Sequence, residues 1–451
     1  MDLLNCIKEA GIVGCGGAGF PTHVKYGGGP VEYLIINGAE CEPLLRTDRY
    51  IMKHLGEKVV WAAEAVSELL GAKECRIALK KTYTEEIKAL ESVLEHRKSK
   101  VRLAKMDSFY PAGDEQTMVY EVTGRTVPPS GIPLDVGCVV SNVATMLGIS
   151  DAAEGKPFTD KYLTVTGEVK RPSVLHVPIG TSFDECIALA GGAKSKKYFV
   201  VSGGPMMGRR MTMDQASSEV VTKTTSGIIV LPESSPIAQK SVISLQHMLN
   251  RARSACIQCS YCTQMCPRHL IGHPLHPHKI MRKLSISGDI VSILTDKDIQ
   301  NAAICCECGI CEEYACPMGL QPKRVNQMLK GALRDAGIRY ERDKDAVYRA
   351  VPEREGRKIP ASRVAARVGV LPWYDLKIDD CAEFLPTHVE IPLSMHIGAP
   401  SEPIVSVGDE VNKGQLIAGI REGAMGANIH ASISGKVISV TGKRIIIERA
   451  G

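Results

Sequence analysis

The chain has 451 residues, 44% hydrophobic and 23% charged, and its 55 basic and 50 acidic side chains leave a formal net charge of +5. That length divides into about two to four domains, the composition is globular rather than disordered, and the near-neutral balance gives no footing for nucleic acid. No apolar run approaches the roughly 18–20 residues of a bilayer span. The opening MDLLNCIKEAGIVG also lacks the basic and then apolar regions of a secretory signal. A cytoplasmic protein is expected, with any membrane contact made through a partner.

Residues 1–155 alternate strand-like and helix-like segments. EYLIING (32–38), CRIALK (75–80) and VRLAKM (101–106) read as strands. Between them VVWAAEAVSELLG (59–71) reads as a helix closed by Gly71, and TEEIKALESVLEHR (84–97) as a helix capped by Thr84. This alternation predicts a parallel or mixed α/β sheet. Residues 160–232 alternate apolar and polar positions and are broken by Gly and Pro, which predicts a small β-rich module ending at a linker, ESSP (233–236). Residues 240–345 carry the cysteines on helical connectors, and 346–383 form a polar connector. From 386 to 451 short strands with Gly-Asp and Ser-Gly turns predict a small barrel or sandwich.

Nine of the sixteen cysteines fall between Cys256 and Cys316. A disulfide scaffold would be short and evenly laced, so a metal site in a reducing compartment is the better reading. The first knot runs Cys256-x2-Cys259-x2-Cys262-x3-Cys266-Pro; the second runs Cys305-x2-Cys308-x2-Cys311-x4-Cys316-Pro. Three thiolates at x2 spacing wrap one face of a cubane cluster. In two-cluster ferredoxins the fourth cysteine ligates the other cluster. On that pattern Cys256, Cys259, Cys262 and Cys316 hold one 4Fe-4S cluster, and Cys305, Cys308, Cys311 and Cys266 the second. Structural zinc, which pairs two CxxC units across a longer insertion, is a poorer match. The x4 gap before Cys316 is one residue longer than the usual x3. Cys306 is a spare by spacing, or an alternative to Cys305.

The stretch GCGGAGFPTHVKY (14–26) is poor in side chains, so a flat ring or a phosphate can approach its backbone. It is neither GxGxxG nor GxxxxGK[ST], so neither a dinucleotide fingerprint nor a P-loop is supported. It is followed in order by Asn37, Glu40, Glu42 and Pro43, by Asp48-Arg49, by YPAGDEQ (110–116) and by SNVAT (141–145). This series resembles the FMN- and NADH-binding subunit of respiratory complex I, and still more the RnfC-type iron–sulfur flavoproteins. The resemblance implies a Rossmann-like domain in which the backbone of Gly14, Gly16 and Gly17 wraps FMN and Lys25 contacts its phosphate or ring edge. Asn37, Glu40 and Glu42 would line the flavin and nicotinamide side. Gly113, Asp114 and Glu115 would face the isoalloxazine, and Asn142 and Thr145 would take the phosphate. Phe20 and Tyr110 would stack NADH, with Glu42 and Glu115 as the acids at the reacting centre. Taken singly, each acid also reads as a solvated loop residue or half of an ion pair. Cys15 stands where complex I subunits carry arginine, which removes a basic partner.

TVTGEVKRPSVLHVPIGT (164–181) resembles the β-grasp SLBB module, and residues 407–440 resemble a barrel-sandwich hybrid. No lysine lies between Lys413 and Lys436, so no prosthetic arm is expected. HPLHPHK (273–279) reads as a surface turn more readily than as a metal or corrinoid ligand. The order of modules, with the hybrid domain last, and the x4 gap resemble the PduS-type cobalamin reductases of propanediol-utilising bacteria. That implies electrons passing from NADH through FMN and two 4Fe-4S clusters to cobalamin. A corrinoid adenosyltransferase and bacterial microcompartment shell proteins are the implied partners. The alternatives are an NADH-oxidising RnfC subunit on a membrane ion pump, a PrdC-like electron donor to an amino-acid reductase, and a scaffold that keeps the clusters as staples.

Overall fold

The computed structural model describes residues 2–286 and 290–449. The head is built on four parallel strands, in spatial order Arg102–Met106, Glu74–Lys80, Tyr33–Asn37 and Cys138–Asn142. Both faces of this sheet are covered, which is why its strands read as near-continuous apolar runs. Leu34 and Ile36 pack into a layer with the helices Thr47–His54, Gly56–Leu69, Thr84–Arg97 and Val143–Ala153, while Ile35 packs on the other side against Met118 and Val119 of the helix Glu115–Thr123. The helix expected at 59–71 starts three residues earlier and ends at Leu69. Gly71 follows it with φ +54°, the left-handed position that ends a helix most readily with glycine. Tyr83, not Thr84, occupies the N-cap of Thr84–Arg97.

The next sheet has six strands, with Asp160–Gly167 and Gly227–Pro232 as a parallel pair at its centre. The helix Phe183–Leu189 opens on a capping box between Ser182 and Glu185 and buries Phe183, Cys186 and Ile187 against that sheet. ESSP is not only a linker: Ser235 caps the helix Pro236–Ser241. The 346–383 segment is woven into the other modules rather than merely joining them. Ile359–Pro360 pairs with Phe109–Tyr110 of the head, and Cys381–Glu383 adds an edge strand to the six-stranded sheet.

The cysteine region is a set of short turns between the helices Leu245–Ala255, Pro277–Ile286 and Pro322–Asp335, closed around Met248, Leu249, Ile280, Leu284, Val325 and Leu329. The C-terminal module is two small sheets, of four and three strands, around a shared core that includes Ile391, Ile417, Ile429 and Ile447. A further apolar core belongs to no single module. Cys41, Leu44 and Tyr110 of the head meet Phe199 and Met206 of the six-stranded module, Cys308 and Ile310 of the cysteine region, and Val364 and Val368 of the woven segment.

Candidate functional site

In an open α/β sheet a ligand sits beyond the carboxyl ends of the strands, where the strand order reverses. Here that point lies between Tyr33–Asn37 and Cys138–Asn142, and their last residues, Asn37 and Asn142, are paired in register. Asn142 caps the following helix: its Oδ1 accepts from Ala144 N at 2.8 Å, and its Nδ2 donates to Asp48 Oδ2 at 2.8 Å. Burial, then the neighbouring Glu40 charge, pushes the Asp48 carboxyl up to about 7. The glycine-rich loop lies against this corner. It is closed by Gly14 N donating to Phe20 O at 2.9 Å, and tied to the helix by Cys15 N donating to Thr145 Oγ1 at 3.0 Å. A Cβ at Gly16 would lie 3.0 Å from the Asn142 side chain, whereas one at Gly17 would meet nothing within 4 Å. Gly16, Gly17 and Ala18 are exposed, so the loop presents bare backbone outward. Behind it stands the C-terminal module: Ile397 N donates to Gly19 O at 3.1 Å, and Gly19, at φ +77°, has no room for a Cβ because Met395 O would be 2.9 Å away.

The loop 110–116 forms the opposite wall. Asn37 Nδ2 donates to Gly113 O at 3.0 Å, and a Cβ at Gly113 would lie 2.9 Å from Ala39 O, so glycine lets the loop lie directly on the strand end. Lys25 Nζ pairs with Glu115 Oε1 at 3.0 Å, both side chains part-exposed. Phe20 is 37% exposed, so its ring has an open face. Glu40 Oε1 accepts from Glu42 N at 2.9 Å, and burial raises its pKa.

Three residues expected at the reacting face do something else. Tyr110 is 1% exposed, with its hydroxyl donating to Cys308 O at 2.7 Å, so its ring has no free face for a nicotinamide. Asp114 is engaged on both oxygens by Arg268, at 2.6 and 2.9 Å, and also caps Glu115–Thr123 through Thr117 N at 3.0 Å. Glu42 accepts from Met206 N at 2.9 Å and Met207 N at 2.8 Å, one on each oxygen. It locks the head to the loop before Arg209–Thr212, and burial is the main cause raising it to about 7. A Cβ at Gly204 would sit 2.2 Å from Glu42 Oε2, which explains the glycine there. Asn142 and Thr145 likewise shape the cradle with the bonds given above.

Two cavities hold the cysteines. Cys256, Cys259, Cys262 and Cys316 line one, with Met281, Leu320 and His278. Cys266, Cys305, Cys306, Cys308 and Cys311 line the other, with Lys323 and Asn326. The second, inner cavity faces the head through Cys308, Arg268 and Tyr110; at the first, outer cavity Cys259, Ile257 and Tyr261 are exposed. The two knots share a backbone pattern. Gln258 and Glu307 are left-handed at the third position, and Ser260 and Gly309 are left-handed after the second x2 cysteine, which aligns Cys305 with Cys256 and Cys306 with Ile257. Left-handed non-glycine residues persist only where the surroundings hold them. The extra residue before Cys316 is taken up in a single π-helical turn, Ile310–Ala315, where the first knot has an α-helical turn, Tyr261–Gln264. Among the described residues no three or more His, Cys, Asp or Glu side chains gather as the shell of one metal ion. In the HPLHPHK turn His273 is buried, with Nε2 on Val127 O at 2.8 Å, and His278 bonds Thr263 Oγ1 at 2.7 Å.

Sequence reading missed Arg268, Met206, Met207 and Asn326. Only Arg268 left a signal, being a cation two residues past Cys266.

Residues 7–151 match the Nuo51 FMN-binding domain, 162–210 the SLBB domain, 255–321 the 4Fe-4S dicluster domain and 377–449 the RnfC barrel sandwich hybrid domain. Over 449 residues the chain is 41% identical to the cobalamin reductase PduS of Salmonella typhimurium, covering 98% of this chain and 95% of that one. It is 39% identical over 450 residues to the cobalamin reductase PduS of Citrobacter freundii, with coverage of 98% and 95%. The chain belongs to the PduS cobalamin reductase family. This PduS-family chain also matches a wider group of proteins over part of its length. A component of the proton-translocating ferredoxin:NAD(+) oxidoreductase complex of Clostridium ljungdahlii is 36% identical over 275 residues, 60% of this chain and 56% of that one. The fold is also similar to an NAD+-reducing [NiFe]-hydrogenase crystal structure in the H2-reduced state, with TM-score 0.50 at 20% identity, covering 73% of this chain and 62% of that one.

FMN and 4Fe-4S clusters are the cofactors of this PduS-family chain, and NADH fits as its electron donor. Its residues suit them: the bare loop at Gly16 and Gly17 has room for a ring or a phosphate, and two thiol-lined cavities stand ready for cubane clusters.

Proposed function

We propose that this chain takes electrons from NADH and delivers them singly to cobalamin, in support of coenzyme B12 regeneration. One NADH would be oxidised to NAD+ and a proton for every two one-electron corrinoid reductions. FMN, when bound, supplies the exchange between hydride and single electrons, and the clusters supply one-electron transfer. The observation that carries the order of events is the 2.7 Å hydrogen bond from Tyr110 to Cys308 O, which puts the head directly on the inner cysteine loop.

The chain's own groups then have separate tasks. Gly14, Gly16 and Gly17 leave space for the flavin, Asn37 and Gly113 set the opposite wall, and Lys25 with Glu115 offers a cation and an acid at the open edge. Phe20 offers the exposed aromatic face for NADH. Glu40 lies beneath, while Glu42, Asp114 and Tyr110 hold the head on its neighbours, as Asn142 and Thr145 hold the loop. Cys266, Cys305, Cys308 and Cys311 would ligate the inner cluster. Cys256, Cys259, Cys262 and Cys316 would ligate the outer one, beside the exposed surface where an acceptor docks. The shared left-handed pattern of the two knots favours Cys305 over Cys306 as ligand.

A corrinoid adenosyltransferase that consumes the reduced product, shell proteins, and a place in the cytoplasm inside a microcompartment go with this reading. No helix among the described residues is long and apolar enough to cross a membrane. A second reading, an RnfC-type protein feeding a membrane complex, is favoured by the partial match to such proteins. Anaerobic NADH oxidation with cobalamin, viologen and quinone acceptors side by side separates them. Corrinoid reduction at one NADH per two corrinoids supports the proposal. Viologen reduction with no corrinoid reduction, with or without an adenosyltransferase, refutes it.

A further inference from the structure

Asn326 lies on the helix Pro322–Asp335 and is 1% exposed. It lines the inner cavity with Cys266, Cys305, Cys308 and Cys311. Neither its Nδ2 nor its Oδ1 has a hydrogen-bond partner of ordinary geometry in the protein. The amide lies beside the Cys305 sulfur in that cavity. A buried amide left unpaired is costly, so such a side chain in a folded protein points to a partner outside the polypeptide. The neighbours on the same helix face are engaged with the chain. Lys323 Nζ donates to Met206 O at 2.9 Å, and Lys330 Nζ donates to Cys305 O at 2.7 Å. Asn326 stands between these two cations, beside the thiols. The outer cavity has no equivalent: its non-cysteine polar members are Gln258, which is exposed, Ser260 and His278.

We propose that Asn326 donates an Nδ2 hydrogen bond to a sulfur of the inner cluster and thereby raises the reduction potential of that cluster alone. The inference rests on the ligand set given under the proposed function. Reduction adds one negative charge to the cluster, and that charge spreads onto its sulfurs. A fixed amide donor in a dry site therefore stabilises the reduced form more than the oxidised one. The inner cluster adjoins the head, so the bond favours departure of the first electron from the flavin end. Asn326 is a positioning and tuning residue: it makes no contact with NADH or corrinoid.

The test is a dithionite redox titration of the holoprotein followed by EPR, which reads both clusters without NADH or corrinoid. Asn326→Leu keeps the volume and removes the donor. The midpoint of one cluster falls by about tenfold in its one-electron equilibrium, ~59 mV, while the other stays, at about eight irons per chain. Asn326→Asp keeps the shape and replaces the donor by a carboxylate; it moves the same cluster further in the same direction, and it stands in if the leucine variant loses iron. Unmoved midpoints at full iron content overturn the inference and leave the ligand set standing, as do equal shifts of both clusters. Loss of the inner cluster in both variants also overturns it, because Asn326 is then needed for assembly. A wild-type protein holding four or fewer irons overturns the ligand set and the inference together.

Discussion

The pair Asp114–Arg268 joins the head to the cysteine region, and its loss is the perturbation with the most definite consequence. The two side chains are 15% and 9% exposed and meet through two hydrogen bonds of 2.6 and 2.9 Å. Asp114→Asn keeps a capping residue for Glu115–Thr123 but leaves the Arg268 charge buried and unpaired. Breaking a buried pair in this way costs about 3–5 kcal/mol. At about 2–4 °C per kcal/mol for a domain of this size, the melting temperature falls by roughly 6–20 °C. Burial alone would raise the Asp114 carboxyl, but the Arg268 charge and hydrogen bonds hold it below the usual range. A carboxyl with a depressed native pKa contributes stability that is present above its unfolded pKa and lost as the pH falls through the lower, native one. The penalty of Asp114→Asn is therefore full at neutral pH and shrinks in acid. Arg268→Met alone strands the carboxylate, whereas the double variant removes both charges and recovers much of the loss. Thermal melting of the anaerobic holoprotein, followed by circular dichroism across the four forms and at two pH values, reads all of this. A drop of less than about 2 °C for Asp114→Asn, or a double variant no better than the worse single one, refutes the reasoning.

Gly17→Ala leaves the melting temperature of the flavin-free protein unchanged, because its Cβ meets nothing, but lowers FMN retained after gel filtration; wild-type retention contradicts the loop's role. The crossed ligand set predicts that Cys316→Ala and Cys259→Ala abolish the same EPR signal, and Cys266→Ala and Cys311→Ala the other; pairing of Cys266 with Cys259 contradicts it. Lys223 is buried with its Nζ donating to Gly11 O at 2.7 Å and Asn428 O at 2.6 Å, and burial lowers its pKa to about 7. The unfolded chain takes up a proton here between about 7 and 10.5 that the native state does not, so stability from this group rises with pH across that window. Lys223→Met flattens that rise and strands two buried carbonyls at about 1–3 kcal/mol each; melting at the two ends of the window checks both.

The head was legible because its elements are local and periodic. EYLIING and CRIALK are apolar runs of strand length between helices with a 3.6-residue period, and they appear as Tyr33–Asn37 and Glu74–Lys80. The cysteine knots were legible because ligand spacing is written in the chain. The intramolecular partners of two acids and one aromatic were not. Glu42, Asp114 and Tyr110 sit in loops beside the flavin motifs, so proximity in sequence pointed to the flavin. Their partners Met206, Arg268 and Cys308 lie 164, 154 and 198 residues away, where no periodicity reaches. The 346–383 segment failed for a related reason. Its paired strands, Ile359–Pro360 and Cys381–Glu383, are too short to show alternation and form only because another module offers an edge. Asn326 reads as an ordinary polar helix residue until its helix is seen to wall a thiol-lined cavity.

The central claim is a one-way relay from the head through the inner cysteine site to the outer one and on to cobalamin. Anaerobic mixing of NADH and corrinoid with Cys259→Ala holoprotein, beside the wild type, tests it most directly. Wild type reduces the corrinoid; the variant still oxidises NADH and bleaches its flavin, yet corrinoid reduction collapses. Corrinoid reduction by Cys259→Ala at the wild-type rate, with the outer cluster's signal gone, would contradict the relay.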